Sequence, residues 1–154
     1  MEPHIVHRQP FTVLGVLARC TPQSADFSDI WLNRFMARHD EISPHSTDGA
    51  FYGVDHLPGE DGTFEYIAGM AVVNRETVPE GLVLRAVPAA RDAVCECTVA
   101  TIGEAYERAF GEWLPASPYE HDRSLPGFEH YPPDTTTGDS PVLIHIPIQK
   151  RASR

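Results

Sequence analysis

A glutamate at the centre of a strand-like stretch is the residue with the clearest capacity for chemistry in this sequence. Glu129 lies in the stretch 127–131, GFEHY, which is rich in aromatic residues and bounded by prolines on both sides. Because side chains alternate along a strand, Glu129 shares one face with Tyr131, and Phe128 shares the other with His130. The stretch therefore places an anion either in solvent or beside an aromatic ring in a cavity, and composition alone favours a solvated glutamate on a half-buried strand.

A carboxylate in a partly dry cavity needs a positively charged partner. Aromatic faces also attract cations, so a pocket that combines both features predicts a hydrophobic cationic ligand. The same carboxylate can act as a general base on water when burial raises its pKa. Binding and hydrolysis therefore both stay open at this point. The sequence shows no nucleophile elbow, phosphate loop or dinucleotide fingerprint that would favour another chemistry.

The charge balance argues against a nucleic-acid-binding surface. Twelve basic residues stand against twenty-two acidic ones, and the net charge is −10. Lys150 is the single lysine, whereas a DNA- or RNA-binding surface meets phosphate with Lys and Arg. No run approaches the ~20 apolar residues of a membrane span, and the N-terminus has no secretory pattern. We therefore expect a cytoplasmic protein that contacts neither nucleic acid nor membrane directly.

The histidines and cysteines do not show the spacing of a metal site. The eight histidines form no H-x-x-x-H or H-E-x-x-H pattern. The three cysteines, Cys20, Cys95 and Cys97, lack the second pair that a zinc site requires and have no disulfide-framework spacing. We expect structural thiols, no metal and no cofactor.

An amphipathic helix early in the chain supplies candidate walls for a pocket. It follows a buried strand at 11–19, runs for roughly four turns and starts from a cap at Ser24 or Asp26. Trp31 and Phe35 are four residues apart on this helix and share a face. That face either belongs to the core or lines a pocket beneath the helix.

The order strand, helix, strand, strand occurs twice along the chain. We predict an α+β fold of two β-α-β-β units related by an approximate two-fold axis, in which two sheets meet around a central ligand cleft. The chain is expected to be one domain, 1–154, with a frayed tail at 149–154. The predicted strands are 11–19, 51–54 and 64–72 in the first unit, and 82–87, 93–95, 127–131 and 142–148 around a helix from Thr101 in the second.

Seven short motifs, in this order and spacing, carry a family resemblance. The motifs are FYGV at 51–54, FEYIAGM at 64–70, VPEGL at 78–82, VPA at 87–89, WLPAS at 113–117, FEHY at 128–131 and IPI at 146–148. With these motifs the chain resembles the effector-binding (GyrI-like) domain superfamily, found at the C-termini of some AraC- and MerR-type transcription regulators and as free-standing proteins. In character it is most similar to the short integron-cassette proteins that bind cationic drugs.

The resemblance implies a duplicated β-α-β-β fold of SH2-like motifs with a ligand cleft between the halves. It identifies Glu129, in the FE-x-Y strand, as the residue that recognises a cation or acts in catalysis. It also implies a free-standing binding module, because the effector domain fills 1–154 and leaves no room for a DNA-binding domain.

Other members of the superfamily imply two alternative functions. Some free-standing members hydrolyse reactive cyclopropane compounds, so the first alternative is a hydrolase with Glu129 as base and Tyr66 or Tyr106 assisting. Others are linked to gyrase protection, so the second is an interaction protein with gyrase or a transcription regulator as its partner.

We expect aromatic side chains to form the walls of the cavity around Glu129. Strand alternation supports Tyr131, and Tyr66 lies in one of the family motifs. The full set of candidates is Tyr131, Tyr66, Trp31, Phe35, Tyr52 and Tyr106.

Overall fold

One antiparallel sheet forms the body of the molecule. The computed structural model describes residues 3–21, 23–56, 61–73 and 77–152, and nine strands lie within these ranges. The strands are β1 (His4–Arg8), β2 (Phe11–Cys20), β3 (Phe51–His56), β4 (Phe64–Val72), β5 (Val83–Val87), β6 (Ala90–Thr98), β7 (Tyr119–His121), β8 (Gly127–Tyr131) and β9 (Pro141–Lys150).

From the centre of the sheet outward, the strands are β3, β4, β2 and β5 on one side and β8, β9, β6 and β1 on the other. The order is β1-β6-β9-β8-β3-β4-β2-β5, with β7 paired to β9. The α+β class is confirmed. The strand predicted at 82–87, assigned to the second unit, is β5, which pairs with β2 of the first unit. The expectation of two separate sheets is wrong, because Phe51–Asp55 of β3 pair with Gly127–Tyr131 of β8 and make the sheet continuous. The two-fold relation between the halves stays a prediction, which this strand order supports.

Two helical segments, 27–45 and 99–116, connect the strands of each half. The first begins at Asp26, whose carboxylate accepts a hydrogen bond from the amide of Asp29 at 3.0 Å, as the predicted cap requires. No helix in the described ranges is long and apolar enough to cross a membrane. The turns of the two segments are Phe27–Asp29 (α), Ile30–Phe35 (π), Met36–Arg38 (3₁₀), His39–Ile42 (α) and Ser43–His45 (3₁₀), then Val99–Thr101 (3₁₀), Ile102–Arg108 (α), Ala109–Trp113 (π) and Leu114–Ala116 (α).

Both helical segments pack on the same face of the sheet. Ile30 and Phe35 of the first segment pack over β2 and β4, and Ala109 and Leu114 of the second pack over β6 and β9. The central strands β3 and β8 lie between these two clusters. On the opposite face, side chains of β2, β3 and β4 form a third cluster with Phe128. The packing therefore leaves a space above β3 and β8, flanked by the two segments.

The last strand of the sheet extends further towards the C-terminus than the sequence predicts. A frayed tail was predicted from residue 149, whereas β9 continues to Lys150, which pairs with Tyr119 of β7. Arg151 then donates a hydrogen bond to the carbonyl of Leu114 at 2.8 Å and another to that of Ser117 at 3.2 Å. Residues 153–154 lie outside the described residues.

Candidate functional site

A cavity of about 1000 Å³ lies above β3 and β8, between the two helical segments. Most of its lining surface is apolar. Its size and apolar character are typical of a small-molecule site. Trp31, Leu32 and Phe35 line it from the first segment, Ile102, Tyr106 and Phe110 from the second, and Asp55, Tyr66, Gly127, Glu129 and Tyr131 from the strands.

Glu129 is the anchor of this cavity, and three tyrosines hold its carboxylate. The residue is only 6% exposed. Tyr66 Oη donates to Oε1 at 3.0 Å, Tyr131 Oη donates to Oε1 at 3.1 Å, and Tyr106 Oη donates to Oε2 at 2.7 Å. The three donors come from β4, β8 and the second helical segment. The two halves of the molecule therefore converge on one carboxylate.

Trp31 extends this hydrogen-bonded cluster into the first helical segment. Its indole Nε1 donates to Tyr66 Oη at 3.0 Å, so Tyr66 accepts from Trp31 while it donates to Glu129. The Trp31 ring also lies edge-on to Tyr131 and Phe35, with centroids 5.4 and 5.1 Å away. Packing and hydrogen bonding thus fix the aromatic wall beside the carboxylate.

A glycine in β3 makes room for this arrangement. Gly53 lies opposite Glu129 in the sheet and beside Ala68 of β4. A Cβ atom at Gly53 would lie 2.0 Å from Tyr66 Oη and 2.8 Å from Glu129 Oε1. The bond between Tyr66 and Glu129 therefore requires a residue without a side chain at position 53.

Burial raises the pKa of Glu129 to about 7, and the nearby Asp55 carboxylate adds to the rise. The hydrogen bonds from the three tyrosines oppose it, because they stabilise the ionised form. Burial first, and the charge of Glu129 second, raise the pKa of Tyr66, Tyr106 and Tyr131 as well. The three phenols therefore stay protonated and act as donors.

Asp55 is a second carboxylate in the cavity, and the sequence interpretation missed it. The predicted strand ended at Val54, whereas β3 continues to His56 and places the half-buried Asp55 in the cavity lining. Burial raises its pKa to about 6, against the stabilising amides of Asp55 and Gly127. Residues two apart on a strand share a face, so a strand extended beyond Val54 would have placed Asp55 on the same face as Gly53.

The structure brings six of the seven predicted residues together, and Tyr52 is the exception. The prediction that Tyr52 lines the cavity is wrong. Alternation along β3 turns this side chain to the opposite face, away from Gly53 and Asp55. There it packs against Phe128, with centroids 5.7 Å apart, and donates to Asp48 at 2.7 Å. The six that line the cavity are Glu129, Tyr131, Tyr66, Trp31, Phe35 and Tyr106.

Neither carboxylate has a cationic side chain beside it. Among the described residues, no Lys, Arg or His nitrogen lies within 4.0 Å of Glu129 or Asp55. Phenol hydroxyls compensate part of the desolvation of Glu129 but bring no positive charge. The cavity therefore combines aromatic surface with two carboxylates that form no salt bridge within the part of the chain that the structure describes.

A comparison with protein families decides the assignment. Residues 1–149 match the model of the GyrI-like small molecule binding domain. The chain belongs to this GyrI-like family. A GyrI-like domain binds a small molecule, and the cavity above β3 and β8 is where this one has room for a ligand.

One curated relative of this GyrI-like chain is a transcriptional regulator. The chain is 30% identical over 156 residues to the transcriptional regulator BrlR of Pseudomonas aeruginosa, covering 96% of this chain and 56% of BrlR. It therefore spans about half the length of that regulator.

Solved structures share the GyrI-like fold along nearly the whole chain. SAV2435, solved bound to tetraphenylphosphonium, superposes with a TM-score of 0.74 at 17% identity, covering 97% of this chain and 94% of that one. An integron cassette protein from the mobile metagenome of Vibrio cholerae gives a TM-score of 0.70 at 19% identity, covering 96% of each chain. At these identities the comparison establishes the fold.

Proposed function

We propose that this GyrI-like chain binds hydrophobic cationic small molecules, with Glu129 as the countercharge. The observation that carries the proposal is the carboxylate of Glu129, which is 6% exposed, faces a large apolar cavity and has no described Lys, Arg or His nitrogen within 4.0 Å. A bound cation offsets the desolvation of Glu129, and the rings of Trp31, Tyr66 and Tyr131 attract the same charge. The tetraphenylphosphonium complex of SAV2435, a chain of the same fold, supports this class of ligand.

The ligand selectivity follows from the kind of contacts that the cavity offers. Ring faces and a single charge impose little directional demand on a ligand, so many shapes are accepted as long as they are lipophilic and positive. We propose that the bound cation acts as an effector in transcription regulation, in line with the relative BrlR. This proposal includes a transcription regulator as the protein partner of the chain.

Two ligands of nearly the same shape test the proposal. 1-Methyl-4-phenylpyridinium is a cation, and 4-phenylpyridine is its neutral counterpart at about pH 8, where Glu129 is ionised. By calorimetry, Glu129→Gln should weaken the cation about tenfold or more and the neutral compound much less. Glu112→Gln, an exposed carboxylate outside the cavity, serves as the matched control. Equal losses for both ligands, or no loss for either, would contradict the proposal.

Hydrolysis is the second candidate, and the raised pKa of Glu129 favours it. A carboxylate whose burial raises its pKa to about 7 suits a general base that takes a proton from water near neutral pH. Tyr106 and Tyr66 are placed to orient a reacting group beside it. Incubation with an electrophilic cyclopropane compound, followed by mass spectrometry, separates the two candidates. Binding alone returns the compound unchanged, whereas hydrolysis adds one water, and Glu129→Gln then abolishes the product.

A further inference from the structure

The two carboxylates of the cavity are neighbours on one face of the sheet. Asp55 of β3 pairs with Gly127 of β8, and Glu129 lies two residues further along β8. Residues that pair directly point to the same face, so both side chains project into the cavity, as its lining shows. Such diagonal neighbours have Cα atoms about 7–8 Å apart.

Gly127 leaves the floor between these carboxylates without a side chain. A Cβ atom there would lie 2.8 Å from the carbonyl oxygen of His145 and 3.3 Å from Asp55 Oδ1. A ligand can therefore lie across the floor and approach Asp55 and Glu129 at the same time.

The cavity offers little positive charge to balance two carboxylates. Arg123 is exposed, and the pKa of His121 is lowered by burial and by Arg123, so His121 adds no charge above neutral pH. Asp55 lies close enough to Glu129 to contribute to the raised pKa of Glu129. The remaining ionisable groups of the lining are the phenols of Tyr66, Tyr106 and Tyr131 and the imidazole of His145, whose Nδ1 lies 2.9 Å from Oδ2 of Asp92.

We infer that the cavity prefers dications to monocations of the same shape, with Asp55 as the residue that recognises the second positive centre. The inference rests on the proposed function, because Glu129 takes the first centre. The ligand class is flat aromatic compounds with a cationic group at each end, such as bispyridinium or diamidine compounds. Two positive groups on one ligand suit two carboxylates on adjacent strands, and the rings suit the aromatic walls.

The inference also specifies how binding depends on pH. Below about pH 6 both carboxylates bind protons, and the dication has no advantage. As the pH rises through about 6 and 7, Asp55 and Glu129 ionise. Binding of the dication is linked to the loss of both protons, whereas binding of the monocation is linked mainly to the loss of one. The logarithm of the dication affinity should therefore rise more steeply with pH.

Three biaryl compounds of similar shape supply the probes. 1,1′-Dimethyl-4,4′-bipyridinium carries two positive charges, 1-methyl-4-phenylpyridinium carries one, and 4-phenylpyridine is neutral at about pH 8. Calorimetry on the wild type at this pH should show the dication about tenfold or more tighter than the monocation. Asp55→Asn keeps the oxygen that accepts from backbone amides and removes the charge, so the ratio of the two affinities should fall to about one. Asp40→Asn, a fully exposed carboxylate outside the cavity, should keep the wild-type ratio.

The outcomes distinguish this inference from the proposed function. A wild type that binds the dication no tighter than the monocation overturns the inference, and so does an Asp55→Asn ratio equal to that of the wild type. If Glu129→Gln still weakens the monocation in that case, the proposed function stands without the inference. If neither cation binds better than 4-phenylpyridine, the proposed function fails as well.

Discussion

Burial gives Glu129 a protonation state that differs between the folded and unfolded chain. Its pKa rises from the ordinary 4.5 to about 7 because desolvation and Asp55 disfavour the charge. The folded protein therefore binds the proton more tightly than the unfolded chain does. That stabilisation is complete at low pH and is lost as the pH rises through about 7.

The first prediction follows from this sign. The free energy of unfolding of the wild type should fall relative to that of Glu129→Gln between about pH 4.5 and 7. The difference should reach at most roughly 3–4 kcal/mol, because one pKa unit corresponds to about 1.4 kcal/mol. Urea denaturation at a series of pH values measures it. The exposed Glu112→Gln should run parallel to the wild type, and a parallel curve for Glu129→Gln would show that position 129 does not titrate in this range.

At the residue scale, strand alternation was enough to predict the pair Glu129 and Tyr131, which share a face and a hydrogen bond. It was not enough for Tyr66 and Tyr106, which reach the same carboxylate from distant parts of the chain. Periodicity describes neighbours within one element, whereas these contacts depend on strand order and helix placement. Asp55 was missed because the polar residues Asp55 and His56 look like the start of a loop.

At the element scale, β3 decides whether the cluster can form. Tyr66 Oη occupies the space that a side chain at position 53 would fill, so only glycine fits there. The two π-helical turns, Ile30–Phe35 and Ala109–Trp113, flank the same cavity from opposite sides. Turns of this kind occur frequently at functional sites. The sequence pattern predicted helices at both places, but π-helical turns share the apolar spacing of ordinary helices too closely to be recognised.

The second prediction concerns Gly53→Ala. The added methyl group collides with Tyr66 Oη and Glu129 Oε1, so it should cost about 1–3 kcal/mol of stability and separate the two groups. Affinity for 1-methyl-4-phenylpyridinium should fall by about tenfold or more. Thermal denaturation and calorimetry measure the two effects.

Gly111→Ala is the matched control for that experiment. Gly111 lies in the second helical segment with no atom within 4 Å of an added Cβ, and it does not line the cavity. Alanine there should leave stability unchanged or raise it by up to about 1 kcal/mol. The explanation for Gly53 would be contradicted if both variants bound the cation as the wild type does.

At the scale of the whole molecule, a network of buried polar contacts around Asp92 holds the outer strands to the centre. Arg8 Nη1 of β1 lies 3.2 Å from Oδ1 of the fully buried Asp92 of β6, and His145 Nδ1 of β9 lies 2.9 Å from Asp92 Oδ2. Arg8 also donates to the carbonyl of Pro126 at 2.8 Å, just before β8. The network thus connects β1, β6 and β9 with the start of β8, the strand that carries Glu129.

The third prediction tests this network. Asp92→Asn leaves Arg8 buried without its counterion, so it should cost about 3–5 kcal/mol of stability. Glu65→Gln, which breaks contacts to the partly exposed Arg19 and Arg85, should cost about 1 kcal/mol or less. Denaturant titration of both variants gives the comparison, and similar losses would mean that the buried pair has no special role.

The whole-molecule organisation was predictable in outline, because strand and helix signals recur in the same order in both halves. The continuity of the sheet was not, since the pairing of β3 with β8 joins residues far apart in the sequence. The edge strands β1 and β7 also escaped notice. β7 has three residues, and β1, HIVHR, has two apolar residues between polar ones, so neither shows a periodic pattern.

A crystal structure with tetraphenylarsonium tests the central claim most directly. This cation carries its charge on an arsenic atom whose anomalous scattering marks its position. We predict one strong anomalous peak inside the cavity, within roughly 6 Å of an aromatic ring centroid of Trp31, Tyr66 or Tyr131 and on the side of Glu129. Glu129→Gln crystals under the same conditions should show a much weaker peak. Arsenic bound only on the acidic outer surface, with the cavity empty, would contradict the assignment of this site to cations.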